Sequence, residues 1–390
     1  MNAPLMPKTA ANVLAFHPRA VPRKRNDAVL ISCEARARKG LQPGLDAQLR
    51  KLYCNIHSTF AHLGIYGGLD AVTHVYVARR AEEPLAVLLL ERNGSSVRVV
   101  NEGMRIEVGE LQRFAAHAFG RWSQVHALSL NAVQIEDAAT PGHPLQHFPC
   151  TADVVVTLPT SVDAYTESLG KNMRRNLRRY MSKLEARHPE LRHVFFESAD
   201  VSAQQVREIL RLSRARISNK SLAFSIDEAE TERIIALTQQ SGMTGVLMAG
   251  DRIIAGGIGY RAGDAFFYRI VAHDPAYDDC SAGILMSYLM ICECIARGCR
   301  EFNFMRSPYE YKFALGAQTR YLQQVVVYRS RLHQFLVPRL VVANLLAQAR
   351  RRLDLLLTGA VPAAEQGSGE RMLLHAVHGW RALKRRFRLR

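Results

Sequence analysis

The sequence has no apolar run that reaches the roughly 20 residues needed to span a bilayer. Residues 1–27 contain prolines and basic residues, but no continuous apolar core of the kind found in secretory signal peptides. We therefore expect residues 1–27 to be a disordered leader. We expect the protein in the cytoplasm, either soluble or peripheral at the inner membrane.

Paired metal-binding and disulfide motifs are also missing. The seven cysteines form no pair of CxxC motifs, and their odd number fits no disulfide framework. An odd cysteine count without a secretory leader is typical of a reducing compartment. The spacing of the residues supports neither a zinc cluster nor a nucleophilic triad. The sequence therefore predicts no metal site.

Acidic residues are too few to balance the basic ones, since 52 Lys and Arg face 35 Asp and Glu and leave a net charge of +17. Such an excess indicates an anionic partner, which is nucleic acid, an acidic membrane face or a phosphate-rich cofactor, or else only a solubilising surface. With 48% hydrophobic residues the composition is that of a globular protein, and 390 residues favour two compact units.

The most regular part of the chain begins at residue 244. Apolar runs at 244–249, 252–260 and 265–271 are separated by Gly250-Asp251 and by Ala262-Gly263-Asp264. These short polar segments contain the residue types that accept the positive φ angles of tight hairpin turns. The pattern predicts a three-stranded antiparallel meander.

A loop, a helix and a further strand follow the meander. After the polar loop His273–Cys280, Ser281 opens a segment with apolar residues at helical spacing that ends at Gly298. A short strand is predicted at Arg300–Met305, and an aromatic, charged loop at Ser307–Lys312.

The first part of the chain repeats this order loosely. We predict a helix at Leu45–Leu63, strands at 73–78, 85–91 and 96–100, a helix at Val108–Trp122 and a strand at Ala127–Leu130. The segment before the second helix of this half carries two glutamates, Glu107 and Glu110, instead of a glycine-rich start, and acids there would repel a phosphate. The first half is therefore expected to be structural or substrate-binding.

A proline-rich stretch, Ile135–Cys150, is the predicted interdomain linker, followed by a strand at Asp153–Leu158 and by a helix that Ser161 begins. One face of that helix is apolar and the other carries Arg174, Arg175 and Arg178. The basic face is either simply solvated or a clamp for an anionic ligand, because guanidinium groups bind phosphate in a bidentate way.

The chain resembles a known family in two places. The matching segments are Lys171-Asn172-Met173-Arg174-Arg175-Asn176 and, further on, Tyr268-Arg269 to His273-Asp274, Ser281-Ala282-Gly283, Glu301-Phe302-Asn303-Phe304 and Tyr309-Glu310-Tyr311-Lys312 with Gly316. Together they resemble the GNAT-like acetyltransferase family named for the CelD cellulose-biosynthesis proteins, which is related to the FemAB peptidyltransferases. The resemblance covers roughly residues 160–330.

The resemblance implies an α/β (α+β) fold of tandem GNAT-like domains, with mixed, mainly antiparallel sheets flanked by helices and a C-terminal helical extension. Residues 28–150 would be the degenerate N-terminal half with its linker, and 151–330 the C-terminal acyltransferase domain. Residues 331–390 would be a basic helical tail. That tail is amphipathic, and it either contacts an anionic membrane surface or packs on the protein.

The resemblance also implies a site for acetyl-CoA or another acyl-CoA. Ser281, Ala282 and Gly283 would offer backbone amides to the pyrophosphate, because the first N–H groups of a helix lack partners and the helix dipole favours an anion there. Arg174, Arg175 and Arg178 would add positive charge. The alternative for Ser281 is an ordinary helix cap.

Acyl transfer needs a general base and a stabiliser of the oxyanion. Lys312, in the segment Lys312-Phe313-Ala314-Leu315-Gly316 that resembles the FemAB active-site segment, is the candidate stabiliser, with Tyr311 beside it. Asp274 and Glu310 are the candidate bases, although Asp274 also suits a turn cap and Glu310 a solvated pair with Lys312. Gly257 and Gly259 lie inside a strand and indicate a bulge that a ligand approaches closely.

The candidate substrate-binding residues are Tyr268, Arg269, His273 and Tyr309. The leading hypothesis is transfer of an acyl, chiefly acetyl, group from acyl-CoA to an amine or hydroxyl acceptor, such as a sugar or a cell-envelope or exopolysaccharide precursor. One alternative is a FemAB-like transferase that takes aminoacyl-tRNA as donor. The other is a non-catalytic GNAT-shaped scaffold for nucleic acid or membrane partners.

Overall fold

The computed structural model describes residues 28–36, 40–136, 142–219 and 224–336, together with positions 342, 345–346 and 349–350. The predicted leader 1–27 and most of the predicted tail 331–390 lie outside the described residues. Of the expected C-terminal helical extension, the described part begins with a short helix, Arg331–Leu336.

Helices and strands alternate along the described chain. The strands are β1 (Val29–Ala35), β2 (His74–Arg80), β3 (Glu83–Asn93), β4 (Ser96–Val99), β5 (Arg105–Glu107), β6 (Ala127–Glu136), β7 (Leu145–Thr157), β8 (Arg192–Glu197), β9 (Gly242–Ala249), β10 (Arg252–Ala262), β11 (Ala265–His273), β12 (Glu301–Asn303) and β13 (Gln318–Tyr328). The helices are α1 (Leu45–Tyr53), α2 (Phe60–Ile65), α3 (Val108–Arg121), α4 (Val162–Ser168), α5 (Lys171–Arg187), α6 (Ala203–Asn219), α7 (Glu228–Ser241), α8 (Ala282–Ala296), α9 (Glu310–Ala314) and α10 (Arg331–Leu336).

The strands form one continuous mixed sheet in the order β1-β2-β3-β4-β6-β13-β7-β12-β11-β10-β9-β8, with β5 beside β6. Most neighbours are antiparallel, while β4 and β6, β5 and β6, and β11 and β12 run parallel. The last strand, β13, lies between β6 of the first half and β7 of the second. The predicted mixed, mainly antiparallel sheet with flanking helices is confirmed.

The two halves repeat one order of elements. In the first half α1 and α2 precede the meander β2-β3-β4, then α3 and the parallel strand β6 follow; in the second, α6 and α7 precede β9-β10-β11, followed by α8 and β12. This tandem arrangement agrees with the sequence-based prediction. The domain limits at residues 150 and 330 stay predictions.

Three predicted segments differ from the structure. The helix predicted at Leu45–Leu63 is broken after Tyr53, because Cys54 adopts a left-handed backbone and a 3-10 turn, Ile56–Ser58, intervenes before α2. The helix that begins at Ser161 ends at Ser168, and α5 starts separately at Lys171. Much of the predicted linker Ile135–Cys150 belongs to β6 and β7 instead. Apolar spacing alone marks none of these breaks.

Separate apolar clusters cover the two faces of the second-half sheet. Phe266, Tyr268 and Phe302 pack under α8 with the apolar face of α5, whereas Ile258 and Ile270 pack on the opposite face under α6 and α7. In the part of the chain that the structure describes, no helix is long and apolar enough to cross a membrane.

Candidate active site

A gap between two parallel strands marks the centre of the second half. Strands β11 and β12 pair only over Ala265–Phe267 and Glu301–Asn303. Strand β11 continues to His273 without a strand partner on that side, whereas β12 ends and the chain turns away. Backbone N–H and C=O groups along the second part of β11 therefore face an opening at which a ligand has access to them.

A bulge in β11 lies at the start of this opening. The pairing of β10 with β11 shifts between Ile258 and Gly259, so that Arg269 is the extra residue of β11. The glycine pattern predicted this bulge. A Cβ on Gly257 would lie 2.3 Å from the Tyr268 hydroxyl oxygen, so the group that comes close to this glycine is a side chain of the protein itself.

Lys312 lies on α9 with its ammonium group buried, and only 4% of the residue is exposed. Its Nζ donates hydrogen bonds to the carbonyl oxygens of Phe304 (3.1 Å) and Arg306 (2.9 Å). The same nitrogen lies 5.6 Å from the Phe304 ring centre and 5.5 Å from that of Tyr309. Among the described residues no carboxylate pairs with it. Burial lowers the pKa of Lys312 to about 8.

The chain beneath this ammonium group is conformationally strained. Met305 and Ser307 both have positive φ angles, 57° and 77°, which cost non-glycine residues on the order of 1–3 kcal/mol each. Asn303, 1% exposed, holds the turn by accepting a hydrogen bond from the Met305 N–H at 2.6 Å. Lys312 fixes the carbonyl groups on either side of Met305. The strained turn is thus held from both sides at the mouth of the opening.

The aromatic residues beside Lys312 face the opening to different degrees. Tyr309 is 61% exposed, and its ring centre lies 6.3 Å from that of Tyr311. Burial raises the pKa of Tyr311 to about 12, an effect that Arg216 opposes. Glu310 is exposed at the first turn of α9. The alternative of a solvated Glu310–Lys312 pair is wrong, because Lys312 is buried on backbone carbonyls, and the predicted loop Ser307–Lys312 already contains the start of α9.

The other end of the opening is the start of α8. Ser281 occupies the N-cap position with a left-handed backbone, φ 48°, and its side chain caps nothing, which argues against the simple cap. In the described structure the backbone N–H groups of Ala282 and Gly283 have no acceptor, whereas those of Ile284 and Leu285 bond to the Ser281 carbonyl. Two N–H groups at the positive end of a 15-residue helix suit an anion.

Acidic residues and His273 also border this helix start. His273 Nε2 lies 2.6 Å from the Asp278 carboxylate, and a Cβ on Gly283 would lie 2.7 Å from His273 Nδ1. Asp279 accepts a hydrogen bond from Lys183 of α5. Gly283 is therefore required for the His273 ring, and the carboxylates near the amides each have a basic partner. The residues present fit a pyrophosphate held by Ala282 and Gly283 beside Lys183.

The basic helix α5 packs along the loop before α8. Arg187 donates to the Ala276 carbonyl at 3.2 Å, and its guanidinium group lies 4.7 Å from the Tyr277 ring centre. Arg175 and Arg178 are exposed, and Arg174 is half-buried with an Nε that has no partner among the described residues. The last turns of α5, with Lys183 and Arg187, thus present positive charge next to the α8 start.

Asp274 has structural partners at the far end of β11. Its carboxylate accepts a hydrogen bond from the Ala276 N–H at 3.0 Å and pairs with Arg252. The capping alternative is confirmed for Asp274. Tyr268 is buried at the bulge against Phe304, whose ring also contacts Tyr311. Arg269 is exposed and pairs with Glu230, whereas His273 and Asp274 lie at the α8 end.

Sequence reasoning missed several residues near the bulge. Arg216 comes from the last turn of α6, Arg306 from the strained turn, and His57 and His62 from the first half of the chain. The histidines are far from residue 269 in sequence, and neither stands in a recognisable motif. Among the described residues no group of three or more His, Cys, Asp or Glu side chains is placed to hold a metal ion.

Comparison with known proteins bears on the fold. Residues 171–313 match the family model described as an acetyltransferase (GNAT) domain. The fold is a tandem GNAT-like fold. The crystal structure of FemX aligns with a TM-score of 0.55 and 10% identity, covering 78% of this chain and 99% of FemX. At such identity the likeness concerns the fold.

Two further solved structures are similar at lower scores. L-PGS from Bacillus licheniformis aligns with a TM-score of 0.44 at 13% identity, covering 78% of this chain and 96% of that one. A tandem GNAT protein from the clavulanic acid biosynthesis pathway aligns with a TM-score of 0.34 at 10% identity, covering 77% and 98%. A search of curated protein sequences gave no match.

Proposed function

We propose that this GNAT-fold, acyltransferase-like chain transfers an acyl group from acyl-CoA to an amine or hydroxyl acceptor. The observation that carries the proposal is the opening beside β11, which has unpartnered amides of α8 at one end and the buried ammonium group of Lys312 at the other. The first suits a pyrophosphate and the second suits the oxyanion of a tetrahedral intermediate. The CoA thioester would supply the activated acyl group.

Each part of the opening has one task in this proposal. Ala282, Gly283 and the basic face of α5 bind the donor, and the free backbone edge of β11 orients it. Lys312 stabilises the oxyanion, while Tyr309 and Tyr311 line the acceptor side. Glu310, exposed and without an ion pair in the described structure, is the carboxylate that remains available as a base. The proposed acceptor is a sugar or a cell-envelope precursor, in line with the resemblance to CelD proteins.

Donor binding is tested first by thermal unfolding with CoA, acetyl-CoA, longer acyl-CoAs and bulk tRNA at two salt concentrations. A ligand at 100 times its dissociation constant adds about 2.7 kcal/mol of stability. We expect stabilisation by one acyl-CoA that persists at high salt. Stabilisation by tRNA alone, with the steep salt dependence of phosphate contacts, would instead favour an aminoacyl-tRNA donor.

The basic face of α5 gives a second test. Replacing Arg174, Arg175 and Arg178 together by glutamine should weaken acyl-CoA binding by roughly 10- to 100-fold, since a hydrogen bond to a charged group contributes about 1.5–3 kcal/mol. Arg192→Gln is the matched control, because Arg192 is exposed on β8 and, among the described residues, forms its ion pair with Asp251. If the triple variant and the control bind acyl-CoA with equal affinity, the basic face of α5 is simply solvated and does not bind the donor.

A further inference from the structure

Two histidines of the first half contact each other at the bulge end of the opening. His57 lies in the 3-10 turn before α2, His62 lies on α2, and their Nδ1 and Nε2 atoms are 3.1 Å apart. The His57 ring also packs edge-on against Phe267 of β11, with ring centres 6.2 Å apart. Phe267 precedes the bulged residue Arg269 by two positions, so the pair lies beside β11 close to its bulge.

The charges around this pair are mostly positive. Arg269 and Arg306 both lie close enough to lower the pKa of His57, and Arg233 lies on α7. One carboxylate, Glu230, accepts hydrogen bonds from Tyr66 (2.9 Å) and Arg269 (3.2 Å) and is 3.5 Å from Arg233. Arg306 is exposed and has no ion pair among the described residues. Positive charge therefore remains uncompensated here.

Neighbouring carboxylates from the other elements are already engaged. Asp46 of α1 accepts a hydrogen bond from the Phe60 N–H and pairs with Arg50. Glu102, in the loop whose backbone accepts a hydrogen bond from Ser58, is bonded to Asn131. An anion brought by a ligand is thus the natural counter-charge for Arg306, and for the part of the Arg269 charge that Glu230, shared with Arg233, leaves uncompensated.

Both histidines are neutral at pH 7. Burial, with smaller contributions from Arg306 and Arg269, lowers the pKa of His57 to about 4. Burial likewise lowers the pKa of His62 to about 3, with His57 and Arg269 adding to the effect and Glu230 opposing it. A neutral pair carries two protons on four nitrogens. Among the described residues the buried Nδ1 of His62 has no hydrogen-bond partner, so one nitrogen is available for a third proton.

We propose that Arg269, Arg306 and His57 bind a phosphate group of the acceptor, and that the histidine pair takes up one proton from solvent when this anion binds. The assignment of this phosphate to the acyl acceptor rests on the proposed function. Two guanidinium groups from different segments and one imidazole N–H can donate hydrogen bonds to a tetrahedral dianion from several sides. A planar carboxylate needs only one guanidinium group to pair with both of its oxygens, so the site suits a phosphate better. The positive charges of Arg269 and Arg306 disfavour a proton on the histidine pair. A bound anion offsets these charges and favours the protonated pair, so anion binding raises the pKa of the pair.

The test measures sulfate binding to the full chain by isothermal titration calorimetry at fixed ionic strength from pH 7 to pH 5. Sulfate is a suitable probe because its charge is constant over that range. Uptake of one proton predicts a sulfate Kd that falls as the pH falls, by at most about tenfold per pH unit. Titrations in two buffers with different ionisation enthalpies report the proton uptake directly.

Three variants assign the effect to residues. His57→Gln should abolish the pH dependence of the Kd, and His62→Gln provides the same readout if His57→Gln does not fold. Arg306→Gln should weaken sulfate binding at every pH by roughly 10- to 100-fold. His193→Gln is the matched control, because His193 is exposed on β8, and it should change neither quantity.

Three results would overturn the site: no sulfate binding, a Kd independent of pH in the unmodified chain, or an unchanged pH dependence in the histidine variants. Acetate binding as tightly as sulfate would overturn the phosphate assignment. No acyl donor takes part in these titrations. A failure of acyl transfer would therefore refute the proposed function but would not change the sulfate-binding result. Sulfate binding that is independent of pH in an active transferase would refute only the proposed phosphate site.

Discussion

Replacing Lys312 by methionine is expected to lower kcat/KM for acyl transfer by about 100- to 1,000-fold, the usual effect of removing one oxyanion-stabilising donor. Methionine keeps most of the aliphatic volume but removes the ammonium group. The loss should fall on kcat, while acyl-CoA still stabilises the variant against unfolding, because the amides of α8 are far from the substitution along β11. Steady-state kinetics together with thermal unfolding measure both quantities.

The pH dependence separates a chemical role of Lys312 from a structural one. With a pKa of about 8, the ammonium group is lost as the pH rises through 8, so kcat/KM should fall there in the unmodified chain. Folding stability should change in the opposite sense: between pH 8 and the ordinary Lys pKa of 10.5 the unfolded chain binds more protons, so stability rises with pH.

Two controls complete this experiment. Lys51→Met removes an exposed lysine of α1, outside the proposed site, and should leave kcat unchanged. If Lys312→Met retains full kcat, then Lys312 serves only to hold the strained turn through the Phe304 and Arg306 carbonyls. In that case the substitution should lower only the free energy of unfolding, by about 1–3 kcal/mol for each of the Phe304 and Arg306 carbonyl groups that loses its hydrogen bond.

Arg320→Met is expected to destabilise the protein by up to about 3–5 kcal/mol, because the buried Glu301 carboxylate loses its bidentate partner and keeps, among the described residues, the single contact to Arg105. Arg320 of β13 binds Glu301 of β12 through both guanidinium nitrogens, at 2.8 and 3.0 Å, and the two side chains are only 15% and 13% exposed. Arg105 of β5 also reaches Glu301 at 3.1 Å. This network joins both halves of the chain. Urea unfolding monitored by circular dichroism measures the change.

An exposed ion pair provides the comparison. Lys51 and Glu83 lie 3.1 Å apart, but their side chains are 70% and 72% exposed. Lys51→Met should therefore cost at most about 1 kcal/mol. Equal effects of the two substitutions would mean that water screens the Glu301 network as fully as it screens the surface pair.

Local patterns in the sequence predicted the elements that form from neighbouring residues. The meander β9-β10-β11, helix α8 and helix α3 follow from apolar spacing and from turn residues such as Gly250 and Gly263, both of which have positive φ angles. Strand β1 escaped prediction, because its burial pattern is that of an exposed edge with only Cys33 buried. Pairing with β2, rather than its own periodicity, makes it a strand.

The candidate site was predictable only in part. The Tyr-Glu-Tyr-Lys segment and the Ser-Ala-Gly segment were singled out by their residue types and by family resemblance, and the fold sets them at two ends of one opening. His57, Arg216 and Arg306 come from segments that are distant in sequence, and only the tertiary structure brings them near Arg269. A helix produces a periodic pattern in the sequence, whereas proximity between distant segments produces no such pattern and could not be predicted.

The central position of β13 has a consequence for how this protein is made. Since the strand after residue 317 lies between β6 and β7, the N-terminal half has an unfilled edge until the ribosome has released most of the chain. Open edges of this kind favour pairing with other chains. Synthesis rate and chaperone binding should therefore govern the yield of active protein, and a fragment that ends before Gln318 should accumulate as aggregates.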